Sequence, residues 1–229
     1  MNQFIPPLSR VIPQALSPAE IDLFARRTGW VDDIAVIDAE HTSVQRSPLP
    51  WWPGVDLIVA RDALWEGPLP LAVWLQVESR LHRLVGRATP IHAINARIPP
   101  KLDDETVLPY LGFFCFFISA AMGPFVILEC LEDAGRVGSA INEQSQDKLR
   151  PAKIVGSDDD GYRCEAVVWY SNALFLANFM VRRNGVVEML DDEPLVADVG
   201  AKCEISFQFR PLEVEAAAAP AAKLLASPP

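Results

Sequence analysis

The sequence predicts an α+β protein, with a predominantly antiparallel meander sheet of about seven strands packed against two or three helices. Three observations support this prediction. Helix signals fall mainly in the first part of the chain, strand-like stretches joined by short turns dominate the second half, and an uncharged run lies between them. That run extends from Val107 to Leu128 and contains five phenylalanines and one tyrosine. Because such a run must be buried, we expect the rest of the chain to cover it.

The domain organisation is predicted from composition. Residues 1–211 are expected to form a single α+β domain, in which the proline-rich residues 1–16 lie on the body as an extended arm. Half of the 229 residues are apolar, which suffices for a sizeable core. After Pro211 the sequence becomes rich in Ala and Pro and poor in bulky apolar residues. We therefore predict that residues 212–229 are a disordered tail.

The first helix is predicted from its start signal. Ser17-Pro18-Ala19-Glu20 supplies an N-cap serine, a proline in the first turn and a glutamate that can close a capping box. Gly29 is expected to end this helix. The following residues, Trp30–Ala39, fit a strand or a second short helix, and Val55–Ala60 fits a strand.

A second helix is predicted over about 71–85, followed by a strand over Ile91–Ile98. The helix prediction depends on apolar residues that recur every three or four positions, and Gly86 would end it. These apolar residues are Leu71, Trp74, Leu75, Leu81, Leu84 and Val85.

The central run is interpreted as a core hairpin. Gly123-Pro124 interrupts it, so the sequence favours strands at about 110–119 and 125–131 joined by a turn at Ala120–Pro124. The run is apolar on both alternating faces, which is typical of a strand covered on both sides. A membrane segment and a buried helix are the alternatives, since the length alone permits a span.

Turn signals dominate the rest of the chain, after one helix near 138–147. Asp158-Asp159-Asp160-Gly161 should separate strands at 152–155 and 162–170, and Ser171-Asn172 should form the next turn. Arg183-Asn184-Gly185 is the clearest hairpin signal, and Asn-Gly favours a type I′ turn. A last strand is predicted over Lys202–Arg210, where Cys203, Ile205, Phe207 and Phe209 alternate with polar residues.

The charge balance argues against nucleic acids and membranes as partners. The chain carries 30 acidic and 20 basic residues, for a net charge of −10. Nucleic acids and anionic membranes attract clusters of Lys and Arg, which are short here. No secretory leader is recognisable, and the four cysteines, Cys115, Cys130, Cys164 and Cys203, form no C-x-x-C pair. A cytoplasmic location with buried free thiols is therefore expected.

The sequence contains no catalytic signature. Phosphate-binding glycine motifs, the G-x-S-x-G elbow and H-E-x-x-H do not occur. We therefore assign no catalytic residue, no metal ligand and no cofactor, and the question of enzymatic activity stays open. Asp38, Glu40 and His41 are neighbours that could serve as acid, base or ligands, but a solvated loop is the simpler interpretation.

Two functional hypotheses remain. In the first, an acidic interaction protein binds another, possibly basic, protein as an inhibitor, immunity-type factor or adaptor. Its partner-binding residues would be Trp51 and Trp52 in a proline-rich loop, together with Asp158, Asp159 and Asp160. Core packing is the alternative explanation for the two tryptophans.

In the second hypothesis, an aromatic-lined pocket between sheet and helices binds a small molecule, with or without catalysis. His92, Asn95 and Arg97 would line it.

Two acidic segments resemble each other. Residues 102–115 and 190–203 share Leu, Asp, Asp, Glu, Gly and Cys at identical spacing. Either a duplication or coincidence explains this echo. With Asp158–Asp160, the acidic residues of both segments are predicted to form solvated turns and negative patches.

Overall fold

The computed structural model describes residues 13–28, 37–67 and 69–207. Within them the chain is α+β, with few helices and antiparallel strand pairs, as predicted. The elements follow in the order β1 (Gln14–Ala15), α1 (Pro18–Thr28), β2 (Thr42–Pro48), β3 (Val55–Asp62), β4 (Ala72–Val77), β5 (Arg80–Leu84), α2 (Thr89–Arg97), α3 (Val107–Phe116), β6 (Ser119–Ala120), β7 (Gly123–Pro124), β8 (Val126–Ile127), α4 (Leu131–Arg136), a 3₁₀ helix (Glu143–Lys148), β9 (Lys153–Ser157), β10 (Gly161–Tyr170), β11 (Ala173–Arg182) and β12 (Val187–Val196).

The strands form three sheets, so the prediction of one seven-stranded meander is wrong. The first sheet has the order β1-β2-β3-β4-β5, and the second has the order β12-β11-β10-β8, with β9 also paired to β10. β6 and β7 form a separate two-stranded hairpin. In the sequence, the helices α2 and α3 lie between the strands of the first large sheet and those of the second. The prediction placed strands at these positions and therefore gave one continuous sheet.

Both faces of the central strands β3 and β4 are largely buried, which explains why the predicted helix at 71–85 is instead the β4–β5 hairpin. On one face Trp74 packs with its ring edge-on to Phe24 of α1, at 5.1 Å between centroids. On the other face Leu57 and Leu75 join the main core. A strand that is apolar on both faces has no period-2 pattern, so its apolar spacing resembled that of a helix.

The central run forms α3, so the predicted hairpin at 110–119 and 125–131 is wrong for its first strand. Residues 107 and 109–117 are all buried, and apolar side chains therefore occupy every side of this helix. Asp103 precedes it, and its carboxylate accepts hydrogen bonds from the backbone N–H groups of Glu105 and Thr106. Pro109 lies in the first turn, where a missing N–H costs nothing. Gly123-Pro124 does end the run in a hairpin, since β6 and β7 pair across residues 121–122.

The other elements give mixed outcomes. The helix start is confirmed, because the N–H and Oγ of Ser17 both donate to the Glu20 carboxylate, at 2.8 and 2.7 Å. The predicted strand at 91–98 is α2, whose first turn contains Pro90. The helix expected near 138–147 is replaced by α4 and the 3₁₀ helix, on either side of its predicted start.

The end of the chain differs from its prediction in sheet pairing. Residues 202–207 keep the predicted alternation of buried Cys203, Ile205 and Phe207 with more exposed neighbours. Within the described residues they belong to none of the sheets, and Ser206 forms an isolated bridge with Pro70. Residues 208–210, the tail 212–229 and most of the Trp30–Ala39 segment lie outside the described residues. The same is true of residues 1–12 of the arm, whereas Gln14–Ala15 pairs with β2.

The second sheet confirms the predicted turns. Asp158–Asp160 joins β9 to β10, Ser171-Asn172 joins β10 to β11, and Arg183–Gly185 joins β11 to β12. The last turn is not type I′, however. Gly185 has φ +81°, while Asn184 is not among the described non-glycine residues with positive φ. The N–H of Gly185 donates to the Arg182 carbonyl, which gives a type I turn followed by a left-handed glycine.

The cysteines and the acidic echo are placed as follows. Cys115, Cys164 and Cys203 are buried free thiols, as predicted, whereas Cys130 is exposed. The two echo segments differ in structure, since 102–115 leads into α3 and 190–203 begins in β12. Among the residues described, no helix combines the length and the apolar character that crossing a membrane requires.

Candidate interaction surface

An open apolar groove lies on the second sheet beside β12. Its volume is about 270 Å³. Met189 on its rim is 43% exposed. The residues that line this β12 groove are Phe125, Val168, Tyr170, Phe175, Met189 and Asp192.

Two stacked rings form one side of the β12 groove. Phe125 and Tyr170 lie nearly parallel, with 4.8 Å between centroids and an interplanar angle of 16°. The backbone N–H of Met122 donates to the Tyr170 hydroxyl at 3.1 Å, and the N–H of Phe125 donates to the Cys115 carbonyl at 3.3 Å. These bonds tie the segment after α3 to the sheet, so the aromatic side of the groove is held in place.

The strand register places the β12 side chains on two different faces. Phe175 pairs with Val168 and Pro194, and Asp192 pairs with Ala177, so these residues share the groove face. Met189 pairs with Phe179 on that same face. A register shift between Asn178 and Phe179 accommodates the extra residue Leu190, which is 52% exposed.

Three carboxylates occupy the opposite face of β12: those of Glu188, Asp191 and Glu193. The Arg182 guanidinium donates to both oxygens of Glu188 at 3.0 Å. This bidentate pair lowers the pKa of Glu188 and raises the pKa of Arg182. The Asn178 side-chain amide donates to Asp191 at 2.6 Å.

The remaining β12 carboxylates, Asp192 and Glu193, have no ion-pair or hydrogen-bond partner within ranges 13–28, 37–67 and 69–207. β12 itself contains no Lys, Arg or His. The surface therefore combines an apolar groove with an acidic strand.

The predicted acidic turn at Asp158–Asp160 is exposed at one end of the second sheet. The guanidinium of Arg183 donates to the carbonyls of Asp158 and Asp159 at 2.9 and 3.3 Å, which fixes the backbone of the turn. Nearby, the Tyr162 hydroxyl donates to the Leu102 carbonyl at 3.3 Å. The acidic turn that follows Leu102 therefore lies at the same end of the sheet.

Trp51 and Trp52 are core residues. Their side chains are 1% and 0% exposed, and both rings contact Tyr110 and Phe113 of α3 at 5.4–5.8 Å between centroids. Both indoles therefore lie beneath the surface. The proline-rich loop between β2 and β3 therefore packs against α3, in agreement with core packing as the alternative explanation for the two tryptophans.

The three residues of the predicted pocket, His92, Asn95 and Arg97, all lie on α2 but do not face a common cavity. His92 is half-buried and packs on Phe114, at 5.7 Å between ring centroids, while Arg97 is exposed. Asn95 is buried in the core and hydrogen-bonded there. The structure does not bring these side chains together.

Asn95 belongs to a buried hydrogen-bond cluster around the Gly185 carbonyl. That oxygen accepts from the Tyr110 hydroxyl at 2.6 Å and from the Asn95 amide at 3.1 Å, and the amide also donates to Tyr110 at 2.9 Å. Burial is the main cause that raises the pKa of Tyr110. The cluster fastens the β11–β12 turn to α2 and α3 and so positions the start of β12.

Sequence reasoning missed the β12 groove residues. The sequence places Phe125 in a core strand and gives no reason to assign Met189 to a surface. The detectable signal is the acidic segment Asp191–Glu193, which the sequence predicts as a turn but which lies inside a strand. Comparison with known proteins finds no match to the chain among protein-family models, curated proteins or solved structures.

Proposed function

We propose that this protein is an interaction module that binds another protein through the β12 groove and the acidic residues beside it. The observation that carries the proposal is an open apolar groove bordered by the exposed Met189 and by the Asp192 carboxylate. Interfaces typically combine an apolar centre, rich in aromatic residues and Met, with a polar rim. Phe125, Tyr170 and Met189 would form the centre here, and Asp192 would belong to the rim.

The charge of the surface favours a basic partner. Asp192 and Glu193 have no basic neighbour paired with them in the described chain, so their field reaches the solvent. The exposed turn Asp158–Asp160 adds negative charge on the same sheet. Such a field steers a basic partner toward the surface, and the association rate would fall as salt rises. Because Trp51 and Trp52 are buried, they are not part of the proposed surface.

The small-molecule alternative is less well supported. Ligand pockets are usually about 300–1,000 Å³ and enclose most of the ligand. The β12 groove is open and slightly smaller, at about 270 Å³. It suits one or two apolar side chains of a protein better than an enclosed metabolite.

The proposal is tested by photo-crosslinking in the native cell. A photoreactive amino acid is placed at Leu190 beside the groove and, as a matched control, at Leu23, which is 61% exposed on α1. We expect an adduct with another protein from position 190 and not from position 23. The captured protein is then purified, and its binding to the wild-type chain is measured directly.

The decisive comparison uses the purified pair. Met189→Asp should weaken binding strongly, because it places a charge in the apolar groove, whereas Leu23→Asp should leave binding unchanged. Equal binding by both variants, or an equal yield of adducts from both crosslinking positions, would refute the proposed surface.

A further inference from the structure

β12 is an edge strand that is unusually long. It spans ten residues, whereas strands of five or six residues are typical. Within the described residues β11 is its only strand neighbour. The outer edge of such a strand presents backbone N–H and C=O groups that can pair with another chain.

The charges of β12 determine which chain could pair there. A second copy of β12 would bring Glu188, Asp191, Asp192 and Glu193 against the same carboxylates, and directly opposed like charges destabilise a strand pair. A strand that carries Lys or Arg would be attracted instead. The acidic edge therefore disfavours self-association and favours a basic segment.

The pleat fixes the pattern that such a segment must have. Successive side chains of an added strand point to opposite faces of the sheet. On the groove face they would meet Met189 and Pro194, which favour apolar side chains, with the Asp192 carboxylate between them. On the other face they would meet Asp191 and Glu193, which favours Lys or Arg.

We infer that β12 binds an extended segment of a partner protein as an added strand, with apolar and basic residues at alternating positions. This inference rests on the proposed function, and it specifies the form of the partner. Main-chain hydrogen bonds would provide affinity, and the β12 groove would select the apolar side chains.

The test begins with a selection from a random peptide library displayed on phage, with the full-length protein as bait. A parallel selection uses the variant Asp191→Asn/Glu193→Gln. We expect the wild-type protein to enrich peptides in which apolar residues alternate with Lys or Arg. Enrichment of peptides without that alternation, or the same peptides from both baits, would overturn the inference.

The best peptide is then synthesised, and its affinity is measured by fluorescence polarisation. The Asp191→Asn/Glu193→Gln variant should bind roughly threefold to tenfold more weakly, as expected for the loss of two cross-strand charge pairs. The matched control Glu40→Gln/Glu66→Gln removes the same charge at two exposed positions beside the first sheet and should bind nearly as well as wild type. An equal loss in both variants would indicate general charge attraction and overturn the inference.

Hydrogen exchange distinguishes strand addition from simple docking in the groove. Bound peptide should slow exchange at β12 amides, and methylation of alternate peptide nitrogens should abolish binding. Binding that depends on Met189 without either effect would overturn strand addition and leave the proposed function standing. Slow exchange along the outer edge of β12 in the free protein would also overturn the inference, because the edge would already be occupied by this chain or by a second copy.

Discussion

The substitution Gly185→Ala tests how closely the β11–β12 turn packs against α2 and α3. Gly185 has φ +81°, in the left-handed region that favours glycine. A Cβ atom at this position would lie 2.5 Å from the amide nitrogen of Asn95 and 2.7 Å from the Tyr110 hydroxyl. Both distances are too short for a carbon atom, so Asn95 and Tyr110 would have to move.

The expected loss of stability has two parts. A non-glycine residue in the left-handed region costs about 1–2 kcal/mol. Displacing Asn95 and Tyr110 would also leave buried polar groups without partners, at about 1–3 kcal/mol. Because both side chains lie on helices in the main core, little relaxation is available. We therefore expect Gly185→Ala to lower the free energy of unfolding by about 2–5 kcal/mol, which is large for one methyl group.

Gly54→Ala is a matched control. Gly54 has nearly the same backbone angle, φ +83°, but none of the described residues apart from its two chain neighbours comes within 4 Å of its Cβ position. It should show only the backbone cost of about 1–2 kcal/mol. The assay is urea unfolding followed by far-UV circular dichroism under identical conditions for both variants. Equal losses in the two variants would refute the close approach of Asn95 and Tyr110 to Gly185.

Two further predictions concern buried side chains. Burial raises the pKa of Cys115, Cys164 and Cys203 from 9.0 to about 12. As pH rises, these thiols therefore lose their protons in the unfolded chain before they do so in the folded protein. The free energy of unfolding should fall as pH rises from 9 toward 12. At pH 10 the loss should be about 1 kcal/mol for each thiol under reducing conditions. A Cys115→Ala variant whose stability keeps the same pH dependence as wild type would contradict this. Trp51→Ala should lower the free energy of unfolding in urea by about 3–5 kcal/mol, because it leaves a cavity in the core. Leu23→Ala, on the surface, should leave stability nearly unchanged. Equal stability of the two variants would place Trp51 outside the core.

Local chemistry in the sequence predicted the start of the first helix and the positions of the three turns between β9 and β12 correctly. Ser17 and Glu20 form the expected capping interaction because both groups lie within four residues of each other. The acidic turn at Asp158–Asp160 forms for a similar reason, since the Asp158 carboxylate accepts from the N–H groups of Asp160 and Gly161. Interactions of this kind depend little on the rest of the fold.

Tertiary burial explains the elements that were assigned wrongly. The segment 72–84 is covered on one side by α1 and on the other side by the main core. The helix α3 is covered by the two large sheets. Such elements lose the alternation that distinguishes a strand and the polar stripe that distinguishes a helix. Their lengths and their flanking signals then become the better guides. Asp103 and Thr106 before α3, and Pro90 in α2, were such signals.

The β12 groove could not be predicted from any local pattern, because its lining comes from four separate segments. Phe125 follows the β6–β7 hairpin, Tyr170 and Phe175 lie on neighbouring strands, and Met189 lies on the edge strand. Only the strand register brings these residues to one face. Once β12 is recognised as a strand, however, its sequence becomes informative, because the register shift at Leu190 leaves Met189 and Asp192 on the groove face and Asp191 on the other. A single added residue in β12 therefore decides which side chains a partner strand would meet, because Met189 and Asp191 would share one face if Leu190 were accommodated in a regular ladder without the register shift.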